Sequence, residues 1–140
     1  MDDEAGTARV LLVEDEELNR VLVRAILARS PDETVREAAL TEAPTLSAAR
    51  AALADAPVDV VLLDLNLPDG NGLSLASELA TRDGAERPEV VALTASVLPQ
   101  ERAAAMAAGC DGFLDKPYAA ADLVRVIGTH LRRRRPELSS

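Results

Sequence analysis

The sequence predicts an α/β domain built on a parallel sheet. Three observations carry this: short apolar runs alternate with longer stretches of helical period, the runs are apolar at nearly every position, and most of them end in a polar residue. Residues 10–13, 58–63, 90–93 and 112–114 are the clear strands. A weaker stretch at 34–38, interrupted by Arg36 and Glu37, is expected at a sheet edge, where less apolar character is needed.

The helices follow from spacing and from their stops. Leu18, Val21, Leu22, Ala25 and Ile26 form the expected buried stripe of the first. Leu46, Ala49, Ala52 and Leu53 form that of the second, behind Thr45 as its cap. The third is expected at Leu73–Ala80. The fourth is expected at Pro99–Ala108, with proline in its first turn and Gly109 as its stop. The fifth covers 119–131 and carries Leu123, Val126, Ile127 and Leu131. Residues 30–44, SPDETVREAALTEAP, are the hardest to phase, because turn formers stand at both ends of a short extended stretch.

Composition narrows the function. The 140 residues suffice for one domain, and no apolar segment approaches the roughly 18 residues of a membrane span. The net charge of −9 argues against binding nucleic acid directly and favours a cation. The two aromatic residues, Phe113 and Tyr118, are too few for a stacking platform. Cys110 is alone and can form no internal disulfide, and the acidic start MDDEAGTARV has no signal-peptide core, so a cytoplasmic protein is expected. We expect a single domain over 1–140, with its core at about 8–131 and flexible ends at 1–7 and 132–140.

Ligands of open parallel sheets bind beyond the carboxyl ends of the strands, so the closing residues matter most. These are Glu14 and Asp15 after the first run, Asp64 after 58–63, Thr94 after 90–93, and Asp115, Lys116 and Pro117 after the last. Any one of them alone reads as a turn former or helix cap. Together, three carboxylates repel unless a cation lies among them, and hard oxygen ligands suit Mg²⁺, with Mn²⁺ as a substitute. A carboxylate in that setting is a nucleophile toward phosphorus, which makes Asp64 the central residue. Lys116 is the only lysine beside fourteen arginines, and its compact charge suits a phosphoryl oxygen to which the Thr94 hydroxyl could also donate. A cis Lys116–Pro117 bond is expected at this tight turn.

In four segments, VLLVEDEELNR, VDVVLLDLNLPDGNG, VVALTAS and GFLDKPY, the chain resembles the CheY-like receiver domain of two-component response regulators over nearly its whole length. The resemblance implies a flavodoxin-like (βα)5 doubly wound sheet of strand order 2-1-3-4-5. It implies Asp64 as phosphoacceptor, Asp15 as a Mg²⁺ ligand, Glu14 assisting directly or through water, and the Asn66 backbone carbonyl as a further ligand. Lys116 and Thr94 would hold the phosphoryl group, and Thr94 and Phe113 would form the switch. Asn66 and Ser96 would tune dephosphorylation, and neither offers a strong base.

The implied phosphodonor is a histidine kinase or histidine phosphotransfer protein. The implied output is a downstream protein or a second copy, bound through the face of the fourth helix, fifth strand and fifth helix. The protein would be a signalling switch that catalyses only its own phosphorylation and dephosphorylation. Two departures concern surfaces: a longer stretch between the first helix and the third strand, and LNLPDGNG after Asp64, where Met before Pro is commoner. Gly70 and Gly72 still allow a tight loop there.

Two other functions compete with this one. A haloacid-dehalogenase-type phosphatase also uses an Asp nucleophile with Mg²⁺, but wants a second Asp two residues on, where this chain has Asn66, and a cap domain that is not evident. A receiver-like interaction module independent of phosphorylation would not need Asp15, Asp64, Thr94 and Lys116 together. His130, Cys110 and the arginine run 132–135 read as an ordinary helix-end residue, a packed thiol and a solvated helix end. Glu16 and Glu17 read as favourable charges at a helix start.

Overall fold

A computed structural model of the chain describes residues 7–95 and 98–139. A five-stranded parallel sheet is formed by β1 (Arg9–Val13), β2 (Ala39–Ala43), β3 (Val60–Asp64), β6 (Glu89–Thr94) and β7 (Gly112–Asp115), in the spatial order β2-β1-β3-β6-β7. Taking only these five in chain order, that is 2-1-3-4-5, as the resemblance implies. β4 (Asn66–Leu67) and β5 (Gly70–Asn71) form a small antiparallel hairpin after β3 that the sequence pattern did not suggest.

The helices are α1 (Glu17–Ala28), α2 (Glu33–Arg36), α3 (Leu46–Asp55), α4 (Leu73–Ala80), α5 (Pro99–Ala108) and α6 (Ala120–Arg134). Alternation along the strands sorts the core into two layers. Leu11, Val13, Val61, Leu63, Val90 and Ala92 face α3, α4 and α5, where they meet Ala49, Leu53, Leu75, Ala76, Leu79 and Ala105. Val10, Leu12, Val60, Leu62, Val91 and Leu93 face the other way, onto Val23 and Leu27 of α1 and Leu123, Ile127 and Leu131 of α6. Both faces of the central strands are therefore dry, which is why their sequences lack polar alternation.

The local signals act as expected at three helices. Thr45 accepts a hydrogen bond from the Ala48 N–H at 3.0 Å and opens α3. α4 and α5 have the predicted bounds, and α5 ends at Gly109 with φ of 112°, a left-handed conformation that suits glycine.

Three expectations need correction. The edge strand is not 34–38 but β2, which begins at Ala39, and 33–36 is the short helix α2. Asp32 caps α2 by accepting from the Thr34 N–H at 3.0 Å, and this outweighs the β-branched character of Thr34 and Val35.

The buried stripe of α1 is Val23 and Leu27, whereas Leu18, Val21 and Leu22 are 79%, 41% and 51% exposed. The helix carries two apolar stripes, and the sheet takes the one that spacing alone did not select.

The C-terminal run is neither loose nor freely solvated. Arg132 to Arg134 extend α6, and Arg132 pairs with Asp32 at 2.7 Å. Pro136–Ser139 form a 3-10 turn from which Leu138 packs against the core. At the other terminus, the expected flexible stretch 1–7 lies outside the described residues apart from Thr7.

Candidate functional site

β1 lies between β2 and β3, so the chain winds outward from β1 in both directions and opens a crevice beyond the ends of β1 and β3. Glu14 and Asp15 follow β1, and Asp64 closes β3. Side-chain oxygens of the three carboxylates lie within 4.8 Å of one another. Glu14 and Asp64 are 1% and 6% exposed, whereas Asp15 is open to solvent.

β6 and β7 bring the other two residues. Thr94 closes β6 and is buried, and the Lys116 N–H donates to the Thr94 carbonyl at 2.8 Å. The Lys116–Pro117 peptide is cis. The Lys116 Nζ donates to Glu14 Oε1 at 3.1 Å and to Asp64 Oδ2 at 3.2 Å. Burial works against its charge, but the attraction of Asp64 and the hydrogen bonds and charge of Glu14 outweigh that, so the ammonium is held above the ordinary lysine range. It stands where the repulsion between two buried carboxylates is greatest.

The backbone fixes both carboxylates. Asp64 Oδ1 accepts from the Asn66 N–H at 3.0 Å, and Glu14 Oε2 accepts from the Glu16 N–H at 3.2 Å. Gly72 closes the loop after β3, its N–H donating to the Leu65 carbonyl at 3.0 Å. A β-carbon at Gly72 would lie 2.6 Å from the Asp64 carbonyl oxygen, so this position requires glycine for close approach. Beside the acidic cluster a cleft lined by Leu65, Asn66, Thr94, Ala95, Glu101 and Ala104 leads toward α5.

The structure thus gathers Glu14, Asp15, Asp64, Thr94 and Lys116, with Asn66 beside them. Phe113 lies half-buried on β7 beneath the Arg102 guanidinium, whose Cζ is 5.2 Å from the ring centroid. Ser96 lies outside the described residues. Three contributors escaped the sequence reading. Arg20 of α1 donates to the Glu14 carbonyl at 2.9 Å, and Asp69 accepts from the Leu46 and Ser47 N–H groups at 2.9 and 3.1 Å, tying the loop after β3 to the start of α3. The third, Tyr118, is half-buried beside Lys116, and burial raises its hydroxyl above the ordinary range. The available signals were a lone arginine among acids and an Asp-Gly pair in the loop.

Residues that read as uninvolved lie elsewhere. Cys110 is buried and unpaired. His130, which read as an ordinary helix-end residue, lies inside α6 and is 7% exposed, with its Nδ1 2.8 Å from Glu89 Oε1 at the opposite end of the sheet.

A doubly wound sheet that gathers three carboxylates, a lysine and a threonine at its switch point defines a class of protein that handles phosphoryl groups and divalent metal. Residues 10–128 match the family described as the response regulator receiver domain, and the chain belongs to that family. It is 30% identical over 125 residues to the polar-differentiation response regulator DivK of Brucella ovis, covering 89% of this chain and 97% of DivK.

It is 38% identical over 119 residues to the aerobic respiration control sensor ArcB of Escherichia coli K12, covering 84% of this chain but 14% of ArcB. It spans 4% of the hybrid signal transduction histidine kinase G of Dictyostelium discoideum. Among solved structures, the signal receiver domain of a Vibrio parahaemolyticus LuxO repressor protein superposes with a TM-score of 0.82 at 24% identity, over 94% of this chain and 95% of that one. Chemotaxis response regulator CheY4 of Vibrio cholerae gives 0.77 at 22% identity, over 89% of this chain and 98% of its own. These likenesses show the flavodoxin-like fold.

The chain is therefore a phosphoryl-accepting receiver of two-component signalling, a family of switches rather than metabolic enzymes. The family binds Mg²⁺ at an acidic cluster. No helix among the described residues is long and apolar enough to cross a membrane.

Proposed function

We propose that Asp64 is the phosphoacceptor and that its donor is a phosphohistidine of a histidine kinase or phosphotransfer protein. One observation carries this reading. Of the two buried carboxylates that a backbone N–H and Lys116 both hold, Glu14 and Asp64, Asp64 is the one that closes the central strand β3, between the acids of β1 and Thr94 of β6 and beside the cleft lined by Leu65, Asn66 and Thr94. An Asp64 oxygen attacks phosphorus in line, the new P–O bond forms as the P–N bond breaks, and the freed imidazole leaves with the electron pair of that bond. Lys116 and the Thr94 hydroxyl stabilise the phosphoryl oxygens in transfer and in the product.

The residues fit a divalent metal, because three clustered carboxylates leave more negative charge than one ammonium cancels. Asp15, Asp64 and the Asn66 carbonyl would hold Mg²⁺, with Glu14 assisting. The ion would neutralise charge between nucleophile and phosphoryl group. Neither Asn66 nor Ser96 offers a base to activate water, so the acyl phosphate is not specially short-lived.

Output follows from repacking of Thr94 and Phe113, which alters the face of α5, β7 and α6 for a downstream protein or a second copy. The whole of 1–140 acts as one receiver, in the cytoplasm.

The test is intact-mass analysis after incubation with Mg²⁺ and acetyl phosphate. One phosphoryl adduct is expected, dependent on Mg²⁺ and absent from Asp64→Asn. An adduct that persists in Asp64→Asn, or none in the native protein, rejects the reading.

A further inference from the structure

We propose that Arg102 is a positioning residue, a latch that holds Phe113 and the end of β7 in the resting arrangement and is released when the switch operates. The inference rests on the phosphoacceptor reading above.

Leu98, at the start of α5, and Arg102 and Met106 within it recur every four residues and so share one side of the helix. Leu98 and Met106 are 48% and 53% exposed. Arg102 between them turns toward β7 instead of extending into water. Its guanidinium lies over the Phe113 ring and its Nη2 donates to Asp115 Oδ1. Phe113 and Asp115 are two residues apart and on the same face of the strand. The planar, delocalised guanidinium can meet a ring with its face and a carboxylate with its edge at once, which an ammonium cannot.

The place of this contact gives it consequence. β7 is the edge of the sheet, bonded only to β6. Asp115 is the register partner of Thr94 and immediately precedes Lys116. One side chain of α5 therefore grips the segment that carries a switch aromatic and adjoins both groups that would hold the phosphoryl. When Thr94 and Lys116 close on that group, Phe113 leaves its place beneath the guanidinium, and the ring contact and ion pair are lost together. The latch sets how much of the unphosphorylated protein occupies the switched state. Its release frees Arg102 between Leu98 and Met106 and changes that surface of α5.

Phe113 is the only phenylalanine, so fluorophenylalanine labelling of the whole chain gives a single fluorine resonance. Arg102→Gln and Asp115→Asn each break the latch differently, the second leaving the guanidinium in place. Without phosphodonor, both are expected to move the resonance toward its phosphorylated position. Both should speed adduct formation from acetyl phosphate by about three- to tenfold, the range spanned by a partly exposed ion pair with a cation–π contact. Arg102→Lys should recover only part of the native behaviour.

An unmoved resonance with native rates, or slower phosphorylation in both variants, overturns the latch. Amide exchange over 99–115 in the unphosphorylated protein judges it separately from Asp64. Exchange there should quicken in both variants while β1 and β3 stay unchanged, and unchanged exchange rejects the latch even if phosphorylation proceeds. Absence of any adduct from the native protein, with quickened exchange in the variants, instead rejects the phosphoacceptor reading alone.

Discussion

Replacing Lys116 by Met tests the charge balance of the site without using its reaction. Lys116 is the cation between two buried carboxylates, 3.1 Å from Glu14 and 3.2 Å from Asp64. Met keeps the apolar stem and removes the charge. Breaking a fully buried pair costs about 3–5 kcal/mol, and because the Lys116 side chain is 25% exposed we discount this to about 2–3 kcal/mol. For a domain of 140 residues this is a fall in Tm of about 5–10 °C, measured with EDTA at neutral pH. A total stability of about 5–15 kcal/mol leaves the variant folded.

The magnitude should depend on metal and on pH. A divalent ion replaces part of the missing charge, so Mg²⁺ should raise the Tm of Lys116→Met more than that of the native protein. At a hundredfold excess over Kd the native gain is about 2.7 kcal/mol. The folded lysine titrates above its ordinary value. Its stabilisation is fully present below the unfolded lysine pKa and is lost as pH rises through the folded one, and the variant should lack that alkaline loss. A variant as stable as the native protein in EDTA, or equal protection of both by Mg²⁺, refutes the reasoning.

Gly72→Ala should fold yet accept phosphoryl from acetyl phosphate about tenfold or more slowly, because its β-carbon would displace the backbone of Asp64. Intact mass against time measures this, and a native rate contradicts it. Hydrogen bonds from Leu46 and Ser47 hold the Asp69 carboxyl below its usual range. Its stabilisation is present above the unfolded Asp pKa and lost as pH falls through the folded one, so the urea midpoints of native protein and Asp69→Ala should differ at neutral pH and converge in acid. Burial pushes the Cys110 thiol up to about 11. With a thiolate fraction of about 10⁻⁴ at neutral pH, iodoacetamide should leave the folded protein unmodified and label it in denaturant.

Legibility in the sequence followed burial. β1, β3 and β6 are covered on both faces, so their apolar runs stood out, and the carboxylates that end β1 and β3 were marked by where those runs stop. β2 was misplaced because it pairs only with β1 and buries only Ala43 fully, so ALTEA carries no strand pattern strong enough to compete with its neighbours. The exposed stripe of α1 was misassigned because period identifies an amphipathic helix without saying which of two apolar stripes meets the sheet. Arg20 and Arg102 could not be placed from spacing, because each acts across tertiary contacts, on the Glu14 carbonyl and on β7. The C-terminal arginines read as solvated because their partners Asp32, Asp59 and Glu89 lie 44 to 100 residues away along the chain.

The same contacts decide the direction in which a signal leaves the site. A phosphoryl group brings about −1.5 to −2 of charge to a crevice where Lys116 is already shared by Glu14 and Asp64, and where one Asp64 oxygen already accepts from Asn66. On the proposed reading, the side-chain donors among the described residues that would turn to its oxygens are Lys116 and the Thr94 hydroxyl. Their backbones are joined by the Lys116 N–H to Thr94 carbonyl bond, so they move as a unit. On the other side the Glu14 backbone is pinned, its N–H donating to Ala43 and its carbonyl accepting from Arg20, which in turn lies 3.6 Å from Glu42. On the proposed reading, the pinned Glu14 backbone beside β2 and the joined Thr94–Lys116 backbones direct the displacement toward Phe113, Asp115 and α5. Spectroscopic probes on β2 should therefore be silent on phosphorylation, and probes on β7 should respond.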